Sequence, residues 1–179
     1  MADDTAVDAD RQSLLAALYD AAVDYVLIGG AALETHHQPH ETFDVDITPA
    51  ADPDNLRRLA HLLNTLDCAL RIDPDEAGSA VPLPSDYFTA ETLGRADIWN
   101  LRTRHGELDI ALKPAGFPTG YAELRRHARP MIAARTRIQV RVASLTDIEH
   151  SKRTANRAKD LQYLDRVNRR DDPRPGLER

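Results

Sequence analysis

Two short segments of this chain alternate apolar and polar residues in step, and a half-buried sheet is what such alternation demands. Along Thr42-Phe-Asp-Val-Asp-Ile47, strand geometry sends Thr42, Asp44 and Asp46 to one face and Phe43, Val45 and Ile47 to the other. Gly106-Glu-Leu-Asp-Ile-Ala-Leu112 repeats the pattern, with Asp109 opposed to Leu108, Ile110 and Leu112. The apolar sets can face a core. Two carboxylates then stand side by side on the opposite face, with a third on another strand. Like charges so placed need solvent, a proton or a bound cation. Three carboxylates from two strands suit hard, oxygen-loving Mg²⁺, with Mn²⁺ as the alternative, and phosphate chemistry. The competing reading is a charged strand edge that resists aggregation.

The rest of the chain supplies helices and turns for such a sheet. Residues 1–9 read as disordered. Asp10 is placed to cap a helix to about Ala22, with Leu14, Leu15 and Leu18 on one face. Tyr25 to Ile28 reads as a strand, Gly29-Gly30 as a tight turn, and a helix follows to about His37. Asp52-Pro53 is an N-cap with proline at the first helical position, ahead of Leu56, Leu59, Ala60, Leu63 and Leu66 at helical spacing. Residues 72–86 read as a long loop, and Asp86 to Leu93 as a short helix. Residues 96–102 and 107–112 form a hairpin, Tyr121 to Ala128 a helix, and Arg137 to Val142 a strand. Ser144-Leu-Thr-Asp147 opens a helical stretch that runs to about Val167. The expected division is a core over 10–143, a helical segment over 144–167 that closes a cleft, and a frayed tail over 168–179.

Composition narrows the class. The 179 residues bear a net charge of −6, and 42% are apolar, enough for one core. The charge is split: residues 1–100 hold 5 Lys and Arg against 19 Asp and Glu, whereas residues 101–179 hold 18 against 10. A basic second half can face a polyanion, or simply attract the acidic first half. The single Cys68 excludes an internal disulfide framework. No apolar run approaches the roughly 20 residues of a membrane span, and the acidic start has no signal core, so a cytoplasmic protein without a membrane partner is expected.

Gly29-Gly30, Thr42-x-Asp44-x-Asp46 and Gly106-x-Leu-Asp109 together resemble the nucleotidyltransferase superfamily of the DNA polymerase beta type. The run from Ala143 through Lys152, Arg157, Lys159 and Asp160 is similar to the closing motif of bacterial nucleotidyltransferase-like proteins of toxin–antitoxin and phage-defence loci, including AbiEii- and MenT-type toxins. The similarity covers roughly residues 12–167. It implies an α/β (α+β) nucleotidyltransferase fold: a small mixed, twisted sheet flanked by helices, with a C-terminal helical segment. It also implies metal-dependent transfer of a nucleoside monophosphate from an NTP to an acceptor hydroxyl, with release of pyrophosphate. In that scheme Asp44, Asp46 and Asp109 hold metal and act in catalysis. Gly29, Gly30, Thr42, Lys152, Arg157 and Lys159 contact the nucleotide, and Asp160 orients one of these cations. The implied acceptor is the 3′ end of tRNA, and the implied partner is an antitoxin. Transfer to a protein or a small molecule is the second reading, and a catalytically silent binding module the third. The pattern departs at His40, where many relatives carry arginine, and at Gly30, where other branches carry serine.

Other residues invite less. His36, His37 and His40 read as surface or rim groups, because neighbouring helical side chains diverge by about 100°. Tyr87 and Trp99 suit core or rim packing better than base stacking, and Cys68 reads as a core thiol.

Overall fold

The two alternating segments are neighbouring strands of one mixed sheet. In the computed structural model, which describes residues 4–38, 40, 42–72 and 79–171, the chain begins α1 (Asp4–Asp20), β1 (Tyr25–Ile28), α2 (Gly29–Thr35), β2 (Asp44–Pro49), α3 (Pro53–Leu63). It continues β3 (Ala69–Arg71), β4 (Ala80–Pro82), α4 (Ala90–Gly94), β5 (Ile98–Thr103), β6 (Gly106–Ala111). It ends α5 (Tyr121–His127), β7 (Arg129–Ile132), β8 (Gln139–Val142), α6 (Leu145–Ala155), α7 (Ala158–Asp171).

The eight strands lie in the order β4-β3-β5-β6-β2-β1-β8-β7. β2 and β6 run parallel, as do β1 and β8, and the other neighbours are antiparallel. The register aligns Leu27, Ile47, Ile110 and Trp99 in one row and Ile28, Asp46, Asp109 and Asn100 in the next. Successive rows face opposite sides of the sheet. The apolar row is buried and joins Leu14, Leu15 and Leu18 of α1 and Leu59 and Leu63 of α3 in the core. α3 starts as its sequence dictates, with the Asp52 side chain accepting from the Asn55 amide and Pro53 at the first position. Both edge strands carry a proline, Pro82 in β4 and Pro130 in β7, which suits strands with an unpaired side.

Several local expectations need correction. α1 starts at Asp4, so Asp10 lies inside the helix instead of capping it; residues 1–3 lie outside the described set. β2 starts at Asp44, and Phe43, just before it, is 62% exposed instead of facing the core. The stretch 72–86 contains β4, while residues 73–78 lie outside the described set. The short helix expected from Asp86 starts at Ala90, because Thr89 and Thr92 close a capping box there. β3 and β7 had no expected counterpart. α7 runs on to Asp171, beyond Val167, and residues 172–179 lie outside the described set. No described helix is long and apolar enough to cross a membrane.

Candidate active site

Asp44 and Asp46 on β2 and Asp109 on β6 converge: one carboxylate oxygen from each lies within 4.8 Å of the others. The parallel register sets Asp46 directly beside Asp109. Each is half-buried, so solvent screens the repulsion poorly. Burial, then the charges of Asp44 and Asp109, raise the Asp46 pKa well above the carboxylate range. Burial pushes Asp109 up to about 6, against the opposing pull of Arg71. Clustered oxygens that take up protons this readily match the donor set of a divalent cation, which Asp44, Asp46 and Asp109 would hold together. Among the described residues they are the one acidic or histidine cluster with such geometry.

Each carboxylate has its own restraint. The Gly30 amide donates to Asp46. Gly29 has φ +63°, and a Cβ there would sit 2.0 Å from Asp46 Oδ2. A Cβ on Gly30 would lie 2.6 Å from the Thr42 side chain. The glycine pair therefore makes room for the acidic strand itself. The Thr42 hydroxyl donates to Asp44 Oδ1, so it too is engaged within the cluster. Asp109 is held by Arg71, whose Nη1 lies 3.1 Å from Asp109 Oδ1 and 3.0 Å from Glu107 Oε2. Arg71 ends the three-residue β3, and nothing in Ala69-Leu-Arg71 marks it in advance.

A cavity of about 270 Å³ adjoins the cluster. Gly29, Asp46, Asn100 and Asp109 line it, together with the apolar Phe117 and Ile148 and the cationic Lys152 and Arg157. Asp160, fully buried, accepts from Lys152 Nζ at 2.8 Å and from Arg157 Nε at 2.6 Å. Burial alone would raise the Asp160 pKa, but these bonds from Arg157 and Lys152 outweigh it and hold the carboxyl below its ordinary value. Lys152 also lies over the Tyr163 ring, 5.2 Å from its centroid. Lys159 is exposed and does not line the cavity, although its charge is felt at Asp109. The spacing of seven does not bring Lys152 and Lys159 onto one helix face, because Asn156, left-handed at φ 52°, ends α6 between them.

The remaining candidates make contacts of their own. His36 Nε2 lies 2.7 Å from the Ala143 carbonyl. His40 packs edge-on against Tyr163, and burial, then the charge of Lys152, lowers its pKa. Trp99 is buried, donates to the Leu93 carbonyl at 3.1 Å and packs with Tyr87 and Phe88. Cys68 is buried and donates to the Leu63 carbonyl, and burial pushes its thiol up to about 12.

No family model matches the chain, and no curated protein matches it in sequence. Among solved structures, the chain is similar to a presumed nucleotidyltransferase of Thermotoga maritima, at 12% identity and a TM-score of 0.52. The match spans 89% of this chain and 91% of that one. The fold, an eight-stranded mixed sheet flanked by helices, is therefore a nucleotidyltransferase fold.

Proposed function

We propose that this chain is a metal-dependent nucleotidyltransferase that moves a nucleoside monophosphate from an NTP to the 3′ end of tRNA, as the toxin of a toxin–antitoxin pair. The observation that carries the transfer is the convergence of three carboxylates on this fold, beside a cavity that also presents Lys152 and Arg157. A divalent cation at the carboxylates supplies charge neutralisation and polarisation of a phosphoryl oxygen. Lys152 offers a point charge, and Arg157 a guanidinium, to the phosphates. Phe117, Ile148 and Ile98 give the cavity an apolar wall suited to base and ribose.

Within this reading, the acceptor oxygen bonds to the α-phosphorus. The bond from that phosphorus to the oxygen bridging to the β-phosphate breaks, and pyrophosphate leaves with the electron pair. The hydroxyl proton passes to Asp109, the carboxylate on the strand beside Asp46. The net positive charge of residues 101–179 supports a polyanionic acceptor.

The test is incubation with total tRNA, Mg²⁺ and each α-labelled NTP, beside Asp44→Ala. Label in RNA for the wild type only is the expected result. Label on protein would replace the acceptor. No label in RNA would overturn the tRNA reading, and NTP still bound in Mg²⁺ would then leave a small-molecule acceptor or a silent binding module.

A further inference from the structure

A buried ion pair ties the first two helices to the strand of the two aspartates. Arg11 of α1 and Glu34 of α2 are hydrogen-bonded, with side chains only 2% and 7% exposed. A buried pair is a poor stabilising device, because taking two charges from water costs about what their attraction returns. Here the arrangement is also imperfect: Arg11 Nε is buried with no hydrogen-bond partner among the described residues. What the pair does achieve is a double grip on Thr42. Arg11 Nη2 donates to the Thr42 carbonyl, and Glu34 Oε1 accepts from the Thr42 amide at 3.2 Å. Thr42 precedes β2, so no strand ladder fixes it. Its side chain rests on Gly30, and its hydroxyl donates to Asp44 Oδ1. Arg135, 3.8 Å from Glu34 Oε1, is a second cation beside the same carboxylate.

We propose that Arg11 and Glu34 are positioning residues for the acidic site: by holding both backbone groups of Thr42, they aim the hydroxyl that orients Asp44. A pair retained for geometry explains why an imperfectly satisfied charge stays buried at this place. The second arm of the test rests on the reading of the carboxylates as a cation site; the first does not.

The first arm is amide hydrogen exchange of the cation-free protein, read by NMR. Glu34→Asp keeps the charge but shortens the reach of the carboxylate that accepts from the Thr42 amide. Exchange at Thr42 should quicken by about tenfold, the loss of one hydrogen bond, while amides of β1 and β6 are unchanged. Unchanged exchange at Thr42 overturns the proposal. The second arm is Mn²⁺ affinity by calorimetry. Arg11→Met with Glu34→Leu removes both charges together, so the variant should still fold, yet bind Mn²⁺ about tenfold more weakly. Adding Thr42→Val to that pair should cost almost nothing more, because the relay is already cut, whereas fully additive losses would overturn it. Should the double variant fail to fold, Glu34→Asp carries the affinity arm as well. A wild type that binds no Mn²⁺ would sink the cation reading, and the exchange arm would still decide the relay.

Discussion

The two faces of the central sheet come from the same strands and yet obey opposite rules. One row, Leu27, Ile47, Ile110 and Trp99, is buried against helices and holds the fold together. The adjacent row, Ile28, Asp46, Asp109 and Asn100, carries two of the three clustered carboxylates and lines the cavity. A single residue step separates a side chain that stabilises from one that strains. The acidic face destabilises the cation-free protein through burial and repulsion, and the apolar face offsets that cost. The candidate site and the core are thus segregated by strand alternation, and that segregation can be attacked one neighbouring pair at a time.

The sharpest pair is Asp46 and Ile47. On the proposed reading, Asp46→Asn should abolish transfer, by roughly a thousandfold or more, since one of the three carboxylates that would hold the cation is lost. The same change should raise the melting temperature of the cation-free protein at neutral pH, because it removes a buried, repelled charge. Ile47→Ala should do the reverse and cost about 2–5 kcal/mol of stability, with activity per folded molecule nearly intact. Denaturant unfolding beside a transfer assay separates the two. A destabilised Asp46→Asn protein would break the comparison.

The glycine turn tests whether the acidic face tolerates bulk behind it. Gly30→Ala drives a methyl into the Thr42 side chain, and Gly29→Ala drives one into Asp46 at a positive φ. Both should weaken Mn²⁺ binding by about tenfold or more and cost about 1–3 kcal/mol. Wild-type affinity in Gly29→Ala would show that Asp46 is not bound in the place it occupies here.

Acid should act on the two faces differently. The folded pKa of Asp109 is about 6 against an ordinary 3.8, so the cation-free folded state holds this proton where the unfolded chain has released it. Its contribution to stability is full below the ordinary value and is lost as pH rises through 6. A cation needs the charged form, so its effect runs the other way. The rise in melting temperature on adding Mg²⁺ should be largest above pH 7 and shrink towards pH 5. Thermal scans with and without Mg²⁺ measure this, and a Mg²⁺ effect that grows on acidification would exclude these carboxylates as the ligands. The core row, having no titratable group, should contribute equally across that range.

What the sequence disclosed of this arrangement follows from the same alternation. Val45, Ile47, Leu108 and Ile110 against Asp44, Asp46 and Asp109 is a local pattern, and a local pattern is legible. The restraints on the carboxylates are not local. Arg71 reaches Asp109 across β5, and Arg11 reaches Thr42 from α1. Each depends on contacts that only the assembled fold creates: Arg71 is not in a periodic run, and Arg11 shares the helical spacing of Leu14, Leu15 and Leu18, which names no partner for it. The three- and four-residue β3 and β7 are too short for a period to appear, and Phe43 escaped the expected core because β2 starts at Asp44, two residues later than expected. The αL turn at Asn156 likewise broke a helical spacing that looked continuous in sequence.

The mildest test lies on β5, where Trp99 and Asn100 repeat the contrast without charge. Trp99 packs with Tyr87 and Phe88, and its indole N–H bonds the Leu93 carbonyl. Trp99→Phe should therefore cost about 1 kcal/mol, the worth of that hydrogen bond, and leave nucleotide affinity alone. Asn100 pairs with Asp109 across the ladder and lines the cavity. Asn100→Ala should leave the melting temperature within a degree or two and change NTP affinity by about three- to tenfold, one hydrogen bond to substrate. Isothermal titration with each NTP reads the second effect, and its variation from base to base would tell whether this amide contacts the base or the sugar. If Trp99→Phe were the variant that altered binding, the buried aromatic cluster and the cavity would have to communicate through the strand, and the separation of the two faces would fail at its least charged point.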